Sequence, residues 1–329
     1  MTVAYRPPRP SELADCALVW YSAVDDYMAR LNRPLLSPYL DPLVAHQRHL
    51  LATDPERFLV AVRPATAGAT AGATESRDQI VGFGIAAQRE HVWFLSQLYV
   101  LPHEQGCGIG RALLTQIMPS LPADSVSDSI DRCHGTLAMC TDSAQPASNG
   151  LYARFGIVPR VPVFNLVGTP NPATLSRLPV GVAAVPFGPL GSADLTDSAA
   201  VHAMDTIDRQ ILGYAHQADH AFLRASGRTG FVYRTDDNQS VGYGYNSEAG
   251  RFGPVALLDD TLTAPVLGHL MTAIRPRGAT SAWVPGANDR AMVALLRAGL
   301  RIEGFPALLC WSRPFARFES YLPASLALL

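Results

Sequence analysis

The sequence predicts an α/β protein that consists of two modules of one mixed α/β fold. Extended apolar runs alternate with helical patterns along the chain. Residues 81–84 and 241–244 share the pattern V-G-[FY]-G and lie 160 positions apart (241 − 81). Each follows an apolar run and precedes a helical phrase stopped by glycine, LYARFG in the first half and LLRAGL in the second. Three matches in the same order indicate a repeated fold.

Each element of the first module is assigned from its local pattern. Ser11 and Glu12 suit the start of a helix, and the Ala/Gly/Thr-rich segment 64–76 predicts a solvated loop. Antiparallel strands before the glycine turn and parallel strands after it predict a mixed sheet. Helices are predicted at 11–27, 43–52, 109–118 and 146–155, and strands at 3–6, 57–63, 79–88, 92–101, 136–141 and 157–167.

The repeat also predicts the domain boundaries. The first module is expected over 1–168, and the segment GTPNPATLSRLP from Gly168 predicts a linker over 169–180. The second module repeats the same elements more compactly and is expected over 181–316. The remaining residues, 317–329, are expected to form a tail.

Composition restricts the classes of function. Of the 329 residues 48% are hydrophobic and 16% charged, which predicts a substantial core. The formal charge is −2 and no basic face is evident, so nucleic acid is not expected as a partner. The sequence has no signal-peptide pattern and no apolar run of about 18 residues, so no membrane partner is expected. Five scattered cysteines without C-x-x-C spacing predict reduced thiols in a cytoplasmic protein.

The stretch LYVLPHEQGCGIGRALL, residues 98–114, carries the strongest functional signal. A strand that runs through a glycine-rich turn into a helix presents unpaired backbone N–H groups and the positive helix end to an anion. Gly106, Gly108 and Gly110 let phosphate oxygens approach the backbone without meeting a Cβ. A dinucleotide-binding loop is the alternative, but Arg111 stands where that pattern needs a small residue.

The spacing Gln105-x-x-Gly108-x-Gly110 resembles the pyrophosphate loop Q/R-x-x-G-x-G/A of the GNAT N-acetyltransferase superfamily. The resemblance implies two tandem GNAT folds and acetyl-CoA as acyl donor. It also implies that the preceding strand pairs through its main chain with the pantetheine arm. The strand residues in question are Leu98, Tyr99 and Val100, and those of the loop are Gln105, Gly106, Cys107, Gly108, Ile109, Gly110 and Arg111.

The segment QPASNGLYARFG from Gln145 resembles the fourth helix of the same family. The resemblance places the Tyr152 hydroxyl near the sulfur of CoA, where a phenol can protonate the departing thiolate. Gln145 stands where many members have an asparagine that precedes this tyrosine by seven residues. The alternative interpretation of Tyr152 is a core residue whose ring packs on the sheet.

The general base departs from the family pattern. Many members have a glutamate twelve residues before the tyrosine, and Cys140 occupies that position. A base must therefore come from Glu90, His91 or Asp142, or from water. Cys140 as a nucleophile in a ping-pong route is disfavoured, because a buried strand cysteine is usually inert.

The second module departs further from the family pattern. The segment TLTAPVLGHL, which follows the strand RFGPVALLDD, has no glycine cluster. Asp259 and Asp260 would repel a pyrophosphate at this position. We therefore expect that this module has lost CoA binding and supports the first. His216 and His220 have the spacing of a zinc-protease motif, but Gln217 replaces its glutamate, which predicts a helix-surface or interface role and no metal.

Together these features predict an acetyl-CoA-dependent N-acetyltransferase that acts on a primary amine, preferably of a small molecule, by direct attack in the N-terminal module. Tyr152 is the predicted acid, and Glu90 and Asp142 are candidate bases. One alternative is an acyl-CoA-binding or sensing protein without turnover. Another is an acyltransferase for a protein N-terminus or for a different acyl-CoA. The sequence leaves a homodimer open.

Overall fold

The chain forms two compact units in a computed structural model that describes residues 3–34, 37–64, 78–119, 135–187 and 198–329. The first unit comprises Met1–Gln88 and Trp93–Arg132, and the second comprises Arg89–Val92 and Cys133–Leu329. The predicted loop at 64–76 lies almost wholly outside the described residues. No helix in the described ranges is both long and apolar enough to cross a membrane.

The described helices and strands follow the predicted order closely. The helices are α1 (Leu13–Arg30), α2 (Asp41–Thr53), α3 (Ile109–Ile117), α4 (Pro146–Ala153), α5 (Ser198–Ile211), α6 (Gln217–Ala225), α7 (Thr263–Ala273) and α8 (Asp289–Arg297). The strands are β1 (Ala4–Arg6), β2 (Phe58–Arg63), β3 (Gln79–Arg89), β4 (Val92–Val100), β5 (Thr136–Asp142), β6 (Val158–Gly168), β7 (Val182–Phe187), β8 (Thr229–Thr235), β9 (Ser240–Asn246), β10 (Val255–Leu257), β11 (Thr280–Pro285), β12 (Arg301–Trp311) and β13 (Tyr321–Leu322).

Helix α1 begins two residues later than predicted. Glu12 accepts hydrogen bonds from the Arg6 guanidinium at 2.6 and 2.8 Å and from the Arg9 amide at 2.7 Å. These bonds hold the segment before Leu13 in a 3₁₀ turn, so the α-helix starts only after it. From there Leu13, Cys16 and Val19 bury one face of α1 in the core of the first unit.

In the first unit the strands are ordered β1-β2-β3-β4. The second unit contains a sheet with the order β13-β10-β9-β8-β7 and a run of neighbouring strands β5-β12-β6-β11. In that run β12 pairs antiparallel with both β5 and β6, and β6 pairs antiparallel with β11. The last strand of each predicted module therefore pairs with strands of the other, so hydrogen bonding crosses the predicted linker at 169–180. The module boundaries themselves stay a prediction.

The repeated V-G-[FY]-G segments have the same structural role in both sheets, which is to let a helix pack closely on the sheet. They lie on β3 and β9, each paired antiparallel with the strand before it. A Cβ at Gly84 would come within 3.0 Å of the Ile117 side chain on α3, and one at Gly244 within 2.8 Å of Leu270 on α7. The glycines are repeated because each lets a helix pack closely on its sheet.

Candidate functional site

The glycine turn connects β4 to α3 in the first unit, as predicted. Gly108 is the N-cap residue of α3 and has a φ of +82°, and Gly106 has a φ of +81°. Backbone at these angles is rarely adopted by residues that carry a Cβ. Glycine is thus required by the path of the chain as it turns from strand to helix.

The outer face of this turn is open. A Cβ built on Gly106 or Gly108 meets no atom within 4 Å. Within the described part of the chain, the amide N–H groups of Gly106, Cys107 and Gly108 have no hydrogen-bond acceptor, and they precede the first turn of α3, whose N–H groups are also free of backbone partners. The turn therefore offers donors and a positive helix end to an anion.

The turn is held from behind by polar contacts. The Gln105 side-chain amide donates to the Val100 carbonyl at 2.9 Å, which fastens the turn to the end of β4. Glu104 is 9% exposed and accepts two hydrogen bonds, at 2.5 and 2.7 Å, from the guanidinium of Arg63 at the end of β2. The sequence analysis missed this ion pair, because its partners are 41 residues apart and carry no joint motif.

The side chains of β4 next to the turn belong to the core. Tyr99 packs its ring 5.8 Å from that of Phe83 and 6.3 Å from that of Trp20. Val100 is 9% exposed and packs in one cluster with Ile109 of α3, and Leu98 packs against that cluster. These side chains fix the strand, so recognition by β4 would use its main chain. Cys107 and Arg111 are exposed on the turn and on α3.

Tyr152 lies on α4 in the second unit and is 5% exposed. Gln145 is the N-cap residue of this helix, and the Asn149 amide donates to the Asp142 carbonyl at 3.2 Å. The Asp142 carboxylate accepts from the Ala144 N–H at 2.8 Å. Two predicted site residues, Asp142 and Gln145, therefore shape the turn from β5 into α4, which holds Tyr152 in place.

Glu90 is committed to an ion pair. It occupies the tip of the β3–β4 turn with a φ of +50°. Its carboxylate lies 2.6 Å from the guanidinium of Arg209 and accepts from the Ala215 N–H at 3.2 Å. The neighbouring His91 carbonyl accepts from the Thr136 N–H at 2.8 Å. The Glu90 carboxylate is therefore already occupied by a guanidinium and a backbone amide.

Cys140 is ill suited to be a nucleophile. Burial raises the pKa of its thiol well above the ordinary value, and the neighbouring Cys310 raises it further. Burial also raises the pKa of Cys16 to about 12. Because the thiolate is the reactive form, the predicted inertness of the strand cysteine has a physical basis.

The counterpart of the glycine turn in the second module, between β10 and α7, carries two aspartates in place of glycines. Asp259 accepts from the Thr261 N–H at 2.9 Å, and Asp260 lies 3.0 Å from Arg290. A Cβ at Gly268 on α7 would come within 2.1 Å of the Ser176 carbonyl of the predicted linker. Linker residues also line a cavity of about 380 Å³ together with residues of α7 and α8. The linker therefore lies against α7 beside this cavity.

His216 and His220 are buried rather than on a helix surface, so the helix-surface part of that expectation was wrong. They are 1% and 2% exposed and lie beside Asp208, which is fully buried. His216 is the N-cap residue of α6 rather than part of its exposed face. The spacing of the two histidines does not reveal this burial, since Asp208, the third residue of the group, lies on a different helix, α5.

Residues 54–157 match the acetyltransferase (GNAT) domain family, a range that contains the glycine turn and Tyr152. Such a domain supports acyl transfer from an acyl-coenzyme A in general. No curated protein matches the sequence.

Solved structures match nearly the whole chain. An inferred acetyltransferase from Pyrococcus horikoshii has a TM-score of 0.66 at 15% identity, covering 99% of this chain and 95% of its own. A GCN5-related N-acetyltransferase from Sphaerobacter thermophilus has a TM-score of 0.56 at 13% identity, with coverages of 97% and 98%. A tandem GNAT protein from the clavulanic acid biosynthesis pathway has a TM-score of 0.52 at 14% identity, with coverages of 95% and 99%. The predicted α/β class with tandem GNAT folds is confirmed.

Proposed function

We propose that this chain transfers an acetyl group from acetyl-CoA to the primary amine of a small molecule, because residues 54–157 match the acetyltransferase (GNAT) domain family. The observation that carries the proposal is the turn at Gly106 and Gly108, with open space before it and free amide N–H groups. The residues that hold the glycine turn all belong to the first unit, so a second chain is not needed to form the turn. A homodimer remains a proposal.

Binding of the donor rests on main-chain groups. The amides of residues 106–111 hold the diphosphate at the start of α3, and the guanidinium of Arg111 on the first turn of that helix adds positive charge. The main chain of Leu98, Tyr99 and Val100 pairs with the amide-rich arm of the donor. Gln105 acts indirectly, since its side chain fastens the turn to Val100. The donor supplies an activated thioester carbonyl.

Tyr152 is the proposed acid. The amine nitrogen forms a bond to the carbonyl carbon, the carbon–sulfur bond breaks, and the sulfur takes a proton from the Tyr152 hydroxyl. The amine loses its proton to water or to Asp142, and the phenol is restored by a proton from water. Tyr152 is buried on α4, and Asp142 and Gln145 form the turn that precedes this helix. Both features support a fixed position for the Tyr152 hydroxyl.

Deprotonation of the amine is assigned to bulk water or to Asp142 rather than to Glu90. The carboxylate of Glu90 is paired with Arg209, whereas that of Asp142 accepts a single backbone hydrogen bond, from Ala144, among the bonds described. Both residues stay proposals as bases. Positioning of the two reactants supplies much of the acceleration, because the thioester needs little further activation.

The second candidate function is acyl-CoA binding without turnover. It is favoured by Cys140, which occupies the place of the family's glutamate and whose thiol has a pKa raised by burial. An amine panel assayed for free CoA thiol separates the two functions. Steady thiol release that depends on one amine, with the acetylated amine found by mass spectrometry, supports the enzyme. CoA binding with no release above the hydrolytic background supports the sensor.

One CoA per chain is expected in calorimetry of the full-length protein. The first module has the open glycine turn, whereas the counterpart in the second module has Asp259 and Asp260 and a linker carbonyl against Gly268. The carboxylate of Asp259 at this position would repel a diphosphate and so disfavours a second site. A stoichiometry of two would contradict the proposed loss of CoA binding in the second module.

Alkylation of Cys107 should report on the turn directly. Its thiol is exposed beside the free amides, so iodoacetamide should label it in the native protein. Saturating acetyl-CoA, whose sulfur is blocked, should slow the labelling by about fivefold or more as judged by peptide mass spectrometry. Cys16 serves as the internal control, because burial raises its pKa to about 12 and it should stay unlabelled in both samples. Equal labelling of Cys107 with and without acetyl-CoA would place the donor elsewhere.

A further inference from the structure

A buried cluster of one carboxylate and two imidazoles lies in the second unit, away from the glycine turn. Asp208 on α5 is fully buried, and His216 and His220 are 1% and 2% exposed. Their potential ligand atoms all lie within 4.8 Å of one another. We propose that Asp208, His216 and His220 form a binding site for a divalent transition-metal ion such as Zn²⁺.

The ligand atoms converge on a common point. The Nε2 atoms of His216 and His220 lie 3.2 and 2.9 Å from the same oxygen, Oδ2 of Asp208. Two ligand atoms of a tetrahedral zinc ion are about 3.3 Å apart when each bond is about 2.0 Å. The two imidazoles are therefore close to ligand spacing from the Asp208 oxygen, and all three groups lie within 4.8 Å of one another.

His216 has no hydrogen bond that accounts for its burial. In the described structure neither of its ring nitrogens makes a hydrogen bond of acceptable geometry, although both are shielded from solvent. Its Nε2 is close enough to Asp208 for a hydrogen bond but is not aligned for one. Carboxylate oxygens of Asp208 and Asp219 lie 3.2 and 3.7 Å from its two nitrogens, and a metal ion beside Asp208 would give Nε2 an aligned partner.

Two of the proposed ligands, His220 and Asp208, are oriented by tyrosine hydroxyls. His220 Nδ1 lies 2.8 Å from the Tyr245 hydroxyl. The Tyr243 hydroxyl donates to Asp208 Oδ1 at 2.6 Å. These contacts leave Nε2 of His220 and Oδ2 of Asp208 facing the centre of the cluster. Outer partners of this kind fix the orientation of metal-binding side chains and strengthen them as ligands.

The third ligand is flanked by a buried ion pair. His216 Nδ1 is 3.7 Å from Oδ2 of Asp219, and the Arg89 guanidinium donates two hydrogen bonds of 2.7 Å to the Asp219 carboxylate. Arg89 thereby holds Asp219 beside the imidazole. Asp208 and His220 each have an outer hydrogen-bond partner, and His216 has the Asp219 carboxylate nearby.

The donor chemistry selects the ion. Two imidazoles and one carboxylate suit zinc and its first-row neighbours, whereas calcium and magnesium prefer oxygen ligands alone. Three protein ligands leave a fourth position for water. Because the ligands are closed off from solvent, the ion would act structurally, tying α5 to the start of α6. The inference is independent of acetyl transfer.

The test is Zn²⁺ binding by the full-length, untagged protein after treatment with a chelator. Competition with a chromophoric chelator should give about one Zn²⁺ per chain with a Kd below about 1 μM. His216→Gln and Asp208→Asn should each weaken binding at least about tenfold. His269→Gln is the matched control, because His269 bonds the Tyr233 hydroxyl at 3.0 Å outside the cluster and its loss should leave Zn²⁺ affinity unchanged.

Two measurements on the unaltered chain keep the inference testable if the variants fail to fold. Bound Co²⁺ should show the visible absorption of a tetrahedral site, and Zn²⁺ at about 100 times its Kd should raise the Tm of the chelator-treated protein. Absence of both effects, or equal Zn²⁺ affinity in a folded His216→Gln variant, would overturn the site. The cluster would then be a buried hydrogen-bonded network without an ion.

Discussion

Replacing Gly108 with aspartate should weaken CoA binding by about 100-fold or more, which is about 2.7 kcal/mol. The new carboxylate would stand in the open space before the turn, where the diphosphate is proposed to bind, and repel it. It would also force an L-residue to a φ of +82° at the N-cap of α3, at a cost of about 1–2 kcal/mol. Calorimetry with CoA measures the first effect and thermal unfolding the second.

Gly227→Asp is the control that separates these effects. Gly227 also has a φ of +82°, and a Cβ there likewise meets no atom within 4 Å, but it follows α6, outside the residues matched to the acetyltransferase domain. Its variant should lose a similar amount of stability and keep the affinity for CoA. Unchanged CoA affinity in a folded Gly108→Asp variant would refute the assignment of the turn. If Gly108→Asp and Gly227→Asp lose CoA affinity equally, the loss is due to backbone strain rather than to repulsion at the turn.

Replacing Tyr152 with phenylalanine should lower kcat by about 100-fold while the Kd for CoA changes less than about threefold. The expected factor is that of a lost general acid, because the ring and its packing on α4 are kept and only the hydroxyl is removed. Steady-state kinetics with the best amine of the panel, together with calorimetry, separates the two quantities. A kcat within about twofold of the original would remove Tyr152 from the mechanism.

Tyr321→Phe is the matched control for the loss of one buried hydroxyl. Tyr321 is fully buried, and its hydroxyl has no hydrogen-bond partner in the part of the chain that the structure describes. Its variant should keep kcat, the CoA affinity and the Tm. If Tyr152→Phe instead lowers Tm and CoA affinity together with kcat, the role of the Tyr152 hydroxyl is structural.

Local patterns determined much of this protein in advance. The predicted helices and strands of the first module match the described ones to within a few residues, because periodicity and turn residues act over short stretches of chain. The glycine turn was also readable, since a positive φ at Gly106 and Gly108 is a demand of the local backbone. The repeat predicted two similar modules because Gly84 and Gly244 each lie under a closely packed helix, where a Cβ would clash.

Contacts between distant residues were decided only by the tertiary structure. Strand β12 pairs with β5 and β6 through backbone groups that all residues other than proline carry, so the residue pattern does not reveal which strands pair. Glu90 is joined to an arginine 119 residues away, which turns a candidate base into half of an ion pair. Asp208 completes the cluster with His216 and His220 from another helix. Burial and charge at each of these sites depend on which side chains the fold assembles, and local sequence does not contain that information.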